Sequence, residues 1–295
     1  MNLASWLPRF LVNWLHAEIP FVPKVGDTVI VIQDCDFKCG KAVLDEAFPG
    51  LPLRVNAIYG KWLWVSNGIP GWIDREHTTS IERAIPHFTE QIRLDPNALA
   101  YAARGMVWRV AGEFDLALDD FSDAIRLDPD ASYYSGRGAT WLEKKDWERA
   151  IADFNEAIRL RPSHRLYLNR GLTYEGQNDY DRAIADYDEA IRLEPRAVTA
   201  LHARAWLLAT CPDSKYRDGN KAVADCSTAC EMERWKNPRA VGCFAAAYAE
   251  IGNFNEAVKW QQLAQEMYSE PDKKLWSFLL DLYKTGKPYR QEVKE

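Results

Sequence analysis

The sequence predicts a mainly α-helical protein with a small β domain, in which an α-solenoid follows a short β-rich segment. Three observations predict this fold. Pro96, Pro129, Pro162 and Pro195 recur at intervals of 33 residues, a period typical of stacked helical repeats. Two amphipathic stretches precede each of the last three prolines. Residues 22–78 carry short β-branched and aromatic runs separated by glycines instead, a pattern that predicts strands.

The two helices of each repeat have a regular pattern of small and aromatic residues. Spacings of four and three place these residues on one face of each helix. The second helices carry the alanines Ala84, Ala117, Ala150 and Ala183, followed by the aromatics Phe88, Phe121, Phe154 and Tyr187. The first helices carry Tyr101, Tyr134 and Tyr167, then Gly105, Gly138 and Gly171, then Trp108, Trp141 and Tyr174. Each repeat is therefore predicted to be a helix hairpin.

This pattern resembles the tetratricopeptide repeat. The resemblance covers roughly residues 81–265, and it implies a non-catalytic solenoid that binds other proteins. Full repeats are predicted at about 98–129, 131–162 and 164–195, and two less regular ones at about 198–236 and 239–265. The fourth of these five carries an insertion of about five residues within Cys211 to Asn220. We assign 79–268 to the solenoid and 269–295 to a C-terminal capping helix and tail.

The capping helix is predicted from Glu270 to Lys284. Its apolar stripe consists of Leu275, Phe278, Leu279, Leu282 and Tyr283. Gly286 and Pro288 then end the helix.

Residues 22–78 resemble bacterial Src-homology-3-like (SH3-like) domains, small β-barrels in which a tryptophan-bearing strand precedes a Gly-Trp strand. We expect Trp64 and Trp72 in the barrel core and Tyr59 and Trp62 as exposed contact candidates. The segment Asp34 to Phe37 is acidic but has no tyrosine pair, which argues against recognition of proline-rich helices. The resemblance implies cell-wall peptides or partner docking as roles. We expect this barrel to pack on the helix that begins at Ile81.

Residues 1–21 form a separate amphipathic segment with an apolar stripe that includes Trp6, Phe10 and Trp14. The stripe predicts a helix docked on the barrel or in contact with a membrane surface. A degenerate secretory signal is the alternative. No apolar run approaches the roughly 20 residues of a membrane span. We expect a soluble protein, with a cytoplasmic location favoured over an exported one.

Composition excludes several functions. A net charge of −6 and a pI near 5.5 argue against a nucleic-acid partner, because phosphate binding needs a basic surface. The cysteines and histidines lack metal-ligand spacing, and no catalytic motif is found. We therefore expect no metal, no cofactor and no enzymatic activity. A disulfide between Cys35 and Cys39 remains open if the protein is exported.

The predicted function is that of a protein-interaction or peptide-interaction scaffold. Its working surface would be the concave face lined by the first helices, where Arg109, Arg165, Asn169 and Glu175 are the polar candidates for ligand contact. Some tetratricopeptide proteins clamp a C-terminal carboxylate with lysine and asparagine on these helices. The matching positions hold Ala102, Met106, Ser135, Ala139, Leu168 and Leu172, so the clamp is absent. The alternative is a cell-envelope protein whose barrel binds cell-wall peptide while the repeats support it.

Two charged columns also follow the repeat. They consist of Arg104, Arg137, Arg170 and Arg204, and of Asp120, Asp153, Asp186 and Asp225. Recurrent opposite charges inside a stack are costly unless they are paired. We therefore predict Arg–Asp pairs; the alternative is a ladder of arginines that binds anions.

Overall fold

The structure is a computed structural model that describes residues 23–24, 26–32, 35–39, 42–47, 51–59, 62–67, 69–74, 78–268 and 270–292. Backbone contacts divide the chain into two compact units, Met1–Pro129 and Asp130–Glu295. The first unit holds a small sheet and three helices, and the second holds helices. The amphipathic segment predicted at 1–21 lies outside the described residues.

The sheet contains seven described strands in the order β3-β2-β6-β5-β4-β1-β7, and every pair is antiparallel. The strands are β1 (Thr28–Val31), β2 (Cys35–Cys39), β3 (Ala42–Ala47), β4 (Pro52–Tyr59), β5 (Trp62–Asn67), β6 (Ile69–Asp74) and β7 (Thr78–Thr79). The first strand of the segment thus pairs with the last.

The β-branched residues of β1 pack on both faces of the sheet. Val29 and Val31 join Leu53, Val55 and Leu63 in a buried cluster. Successive side chains of a strand point to opposite faces. Ile30 accordingly packs into a second cluster, formed by residues of the first two helices that follow the sheet, namely Ala84, Phe88, Ala103 and Val107.

The sequence analysis assigns no strand to Cys35–Cys39. Cys35–Cys39 is instead strand β2, paired with β3. At about 3.3 Å per residue, the Cα atoms of Cys35 and Cys39 are about 13 Å apart, too far for a disulfide. The predicted closed barrel is not shown, because β3 and β7 stand at the two edges of the described sheet. The side chains of Tyr59, Trp62, Trp64 and Trp72 lie outside the description.

Twelve α-helices follow in the described part of the chain. They are α1 (Ile81–Leu94), α2 (Ala98–Ala111), α3 (Phe114–Leu127), α4 (Ala131–Glu143), α5 (Trp147–Leu160), α6 (His164–Gly176), α7 (Tyr180–Leu193), α8 (Val198–Thr210), α9 (Gly219–Met232), α10 (Pro238–Glu250), α11 (Phe254–Met267) and α12 (Glu270–Lys284). The hairpins are α2–α3, α4–α5, α6–α7, α8–α9 and α10–α11, each with a first and a second helix in contact. Helix α1 is an isolated second helix, as the sequence predicts.

The alanine and aromatic columns of the second helices form the hairpin cores. Ala150 and Phe154 are fully buried, and the equivalent residues of α1, α3 and α7 are at most 1% exposed. The predicted column is therefore confirmed. The stripe of α12 is narrower than predicted, because Leu279 and Tyr283 are buried whereas Leu275 and Phe278 are exposed.

Short turns connect the two helices of most hairpins. Gly112, Lys145, Asn178 and Gly252 adopt positive φ in these turns, which reverses the chain and lets backbone N–H groups reach the last carbonyls of the first helix. The connection from α8 to α9 is longer. It contains the predicted insertion, in which Ser214–Tyr216 forms a short 3-10 helix.

Candidate functional site

The arginine and aspartate columns form paired charges within each hairpin. Each guanidinium group makes two hydrogen bonds of 2.7–2.9 Å to the carboxylate of Asp120, Asp153, Asp186 or Asp225. Hydrogen bonding to these aspartates raises the pKa of Arg104, Arg137 and Arg170. The predicted pairing is confirmed, and the arginines are removed from the candidate ligand contacts.

Arg104, Arg170 and Arg204 also reach back to the preceding second helix. Arg104 Nη1 donates to Thr89 Oγ1 at 3.0 Å, Arg170 Nη1 to Asn155 Oδ1 at 2.6 Å, and Arg204 Nη1 to Asp188 Oδ1 at 2.5 Å. The sequence analysis missed these acceptors. The signal was the polar column Thr89, Ser122, Asn155 and Asp188, which follows the period of 33 residues.

First helices of adjacent hairpins lie side by side in the second unit. Helix α6 contacts both α4 and α8, and α8 contacts α10. Of the predicted contact residues, Arg165, Asn169 and Glu175 lie on α6, where Arg165 is exposed and the other two are half-buried. Arg109 is half-buried on α2 in the first unit.

The C-terminal tail, residues 287–292, packs against the carboxyl ends of three first helices. Arg290 Nη2 lies 2.5 Å from Glu250 Oε2 of α10, and Arg290 Nη1 lies 3.4 Å from the Ala209 carbonyl of α8. The Gln291 backbone donates to the Thr210 carbonyl at 2.8 Å, and its side chain lies 3.4 Å from Glu175 Oε1 of α6. The sequence analysis assigned no contact to this tail.

Contacts between aromatic rings add to these polar contacts. The Tyr289 ring packs on Trp206 of α8 and on Phe278 of α12, with centroid distances of 5.8 and 5.7 Å. Glu175 also accepts a 2.7 Å hydrogen bond from the Tyr187 hydroxyl. Burial, with the Glu175 charge as a second cause, raises the pKa of Tyr187 well above its usual value. The predicted candidate Glu175 thus lies where the tail crosses α6.

A cavity of about 280 Å³ lies beside Trp206. Helices α8 and α10 line it with His202, Trp206 and Cys243, and α12 lines it with Trp276 and Leu279. The Trp276 indole N–H is buried without a hydrogen-bond partner among the described residues. Burial lowers the pKa of His202, whose Nε2 lies 3.5 Å from Glu233 Oε2. The cavity wall is therefore mainly apolar, and its polar groups belong to His202, Arg239, Tyr268 and Trp276.

The described residues contain neither a metal-binding cluster nor a membrane-spanning helix. They contain no group of three or more His, Cys, Asp or Glu side chains placed to hold a metal ion. Similarly, no helix in the described part of the chain is long and apolar enough to cross a membrane.

The hairpin array defines a helical repeat protein. Models described as tetratricopeptide repeat match residues 79–132, 109–165 and 165–196. Residues 79–196 therefore consist of tetratricopeptide repeats, as the sequence predicts. The structure extends helix hairpins to Met267. No curated protein matches this chain in sequence.

Solved structures share the fold. YrrB, described as a TPR protein with an unusual peptide-binding site, is 20% identical with a TM-score of 0.51, and the match covers 66% of this chain and 98% of YrrB. PilF of Pseudomonas aeruginosa is 20% identical with a TM-score of 0.56, over 67% of this chain and 89% of PilF. Yeast Tom70 is 20% identical with a TM-score of 0.55, over 69% of this chain and 43% of Tom70.

Proposed function

We propose that this protein is a non-enzymatic scaffold that binds an extended segment of another protein on the surface of its first helices. One observation carries the proposal. The first helices of the second unit lie side by side, and an extended segment, the protein's own tail, already crosses α6, α8 and α10. The residues proposed to contact a partner are Arg165, Asn169 and Glu175, with Arg109 in the first unit.

The cavity beside Trp206 offers a place for part of a peptide ligand. Its volume is about 280 Å³, and apolar and aromatic side chains form most of its wall. It suits one large apolar side chain, which would anchor a segment running along the helices. The peptide-binding site of YrrB, a protein with the same fold, agrees with this proposal.

Site-directed photocrosslinking tests the proposed surface. We would place a photoreactive residue at Arg165, on first helix α6, and at Arg192 as a matched control. Arg192 is on second helix α7, with a side chain that is 68% exposed. A partner from the native host should crosslink at position 165 and not at 192. Equal crosslinking at both positions, or at 192 alone, would contradict the proposed surface.

A second candidate function concerns the sheet. We propose that it is an SH3-like domain of a bacterial cell-envelope protein that contacts cell-wall peptide through Tyr59 and Trp62. The small antiparallel sheet, in which the first strand pairs with the last, supports this proposal. Tyr59 and Trp62 are cross-strand partners. Cosedimentation with peptidoglycan tests the idea, and a Trp62→Ala variant that sediments like the wild type would argue against it.

Location and membrane contact belong to the same two alternatives. Under the scaffold proposal the protein is cytoplasmic, and residues 1–20 remain attached as a docked helix or one that touches a membrane surface. Under the envelope proposal the protein is exported, and a signal would be cut near Ala17. Intact-mass measurement on protein from the native host separates the two.

A further inference from the structure

The end of α8 differs from the ends of the other first helices in which groups donate hydrogen bonds to its last carbonyls. The last four carbonyls of a helix have no partner within the helix. In α8, the carbonyls of Leu207 and Leu208 accept from the backbone N–H groups of Cys211 and Asp218. Among the described residues, the donors to the carbonyls of Ala209 and Thr210 belong to the tail, namely Arg290 and Gln291. The tail therefore completes an otherwise open helix end.

The charge of this site favours a cation. The carboxyl end of a helix carries a partial negative charge, and Glu175 and Glu250 add carboxylates beside it. Glu250 accepts from Arg217 Nε at 3.0 Å, while its other oxygen faces Arg290 at 2.5 Å. Arg217, which belongs to the insertion, thus occupies one oxygen of Glu250 and leaves the other oxygen for a second cation. A guanidinium group suits the site because it can bind carbonyl and carboxylate oxygens together.

The contacts of the tail are of a kind that another segment can reproduce. They consist of one aromatic ring, one arginine and one residue bonded through its backbone, namely Tyr289, Arg290 and Gln291. The tail has no regular secondary structure, two of its four polar contacts are 3.4 Å long, and the Arg290 side chain remains 32% exposed. Nothing in this set requires that the segment belong to the same chain.

We propose that the tail is an internal ligand of the first-helix surface, and that the natural partner is an extended protein segment with an aromatic residue followed by arginine, which displaces it. The proposal rests on the proposed scaffold function and names its partner class. A segment tethered by a short linker competes at an effective concentration on the order of millimolar. The free partner must overcome this competition, so the tail sets the affinity threshold for binding.

A peptide with the sequence of residues 286–295 tests the proposal. Its fluorescein-labelled form would be titrated by anisotropy against the full-length wild type and against a full-length Tyr289→Ala/Arg290→Ala variant. The variant should bind at least about tenfold more tightly than the wild type, because its own tail no longer competes. A control peptide with alanine at both positions should bind neither protein.

Two further measurements keep the test decisive. Circular dichroism melting establishes that the double variant is folded, and a single Arg290→Lys variant, which keeps the charge but loses the planar group, should bind the peptide with intermediate affinity. Equal peptide affinity for wild type and folded double variant would overturn the proposal. So would a double variant that is unfolded, since the tail would then be a permanent part of the fold.

This failure is distinguishable from failure of the scaffold function. If the peptide does not distinguish the two proteins but a host partner still crosslinks at position 165 and not at 192, the scaffold function stands and the internal ligand fails. If the peptide binds as expected and no partner crosslinks at position 165, the tail is a displaceable internal ligand and the proposed scaffold function fails.

Discussion

The three regular hairpins, α2 to α7, and the last two, α8 to α11, solve the same packing problem in different ways. In the regular hairpins a glycine of the first helix faces an aromatic ring of the second, as at Gly171 and Tyr187. In the last two, the corresponding positions hold Ala205 with Cys226 and Ala245 with Gln261, and all four residues are buried. In the last two hairpins the first helix thus carries a methyl group at this position, and the second helix carries a side chain smaller than a ring.

The turn after α6 and the insertion after α8 also differ in how the last carbonyls of the helix are hydrogen-bonded. In the regular turn after α6, the N–H groups of Gln177, Asn178 and Asp179 satisfy the helix carbonyls locally. The insertion after α8 leaves two carbonyls to the C-terminal tail. The turn after α10 is closed locally like the one after α6. The end of α8 is therefore the place where a break in the repeat makes the backbone depend on residues far away in the sequence.

The largest expected effect is the loss of a ring in the regular part. Phe154→Ala should lower the free energy of unfolding by about 3–5 kcal/mol, as for other buried aromatic residues. Cys226→Ala, at the equivalent position of the fourth hairpin, removes one sulfur atom and should cost about 1 kcal/mol. Chemical denaturation measures both. Similar losses at the two positions would mean that the hairpins do not differ in their cores.

Breaking an Arg–Asp pair should have the next largest effect. Arg170→Ala leaves the carboxylate of Asp186, only 8% exposed, without its partner. The expected loss is about 3 kcal/mol. Arg192→Ala is the matched control, because it removes an arginine paired with Glu189 in solvent, and its denaturation midpoint should equal that of the wild type. A denaturation midpoint of Arg170→Ala equal to that of the wild type would show that the Arg170–Asp186 pair contributes no stability.

Substitutions at Gly171 and Tyr187 test whether the packing of the fourth hairpin can be reproduced in the third. The new Cβ would lie 2.6 Å from the Tyr187 ring, so Gly171→Ala should cost about 1–3 kcal/mol. Tyr187→Cys alone should also destabilise. The double variant copies the Ala205–Cys226 pair, and its loss should be smaller than the sum of the single losses. Additive losses would indicate that glycine and ring do not act as a pair.

Gln261 allows a change in the stabilising direction. Its buried amide has no hydrogen-bond partner among the described residues, and a buried unsatisfied polar group costs about 1–3 kcal/mol. Gln261→Met has nearly the same shape and should raise the free energy of unfolding by about 1 kcal/mol. A lower stability would mean that the amide is hydrogen-bonded in solution.

The smallest effect should be a dependence on pH from His202. Its pKa is lowered from 6.5 by burial, so between the two pKa values the unfolded state binds more protons than the folded state. Stability should therefore fall as the pH drops through 6.5. His202→Gln should make the denaturation midpoint less sensitive between about pH 7 and pH 5. An unchanged slope would assign the acid sensitivity to other groups.

The repeat and its columns could be predicted because they are set by spacing alone. A period of 33 residues and the alanine and aromatic spacings place Ala150 and Phe154 on one face before any contact is known. The Arg–Asp pairs could be predicted for the same reason, since unpaired charges at these positions would be costly.

The tail contact could not be predicted, because it joins residues such as Glu175 and Gln291 that are far apart in sequence and follow no period. The hairpin β2–β3 was missed because Asp36 and Lys38 lack the hydrophobicity typical of strands. Arg165 and Asn169 remain predictions as ligand contacts. The polar residues that contact a partner depend on the partner's shape, and the sequence of this chain carries no information about that shape.

The bridges of Arg104, Arg170 and Arg204 act on two levels of the array. Each joins a first helix to the second helix before it. Each bridge uses the guanidinium group that also pairs with an aspartate of its own hairpin. One arginine therefore fastens the two helices of its hairpin together and ties that hairpin to the helix before it, so a single substitution weakens both levels of the array.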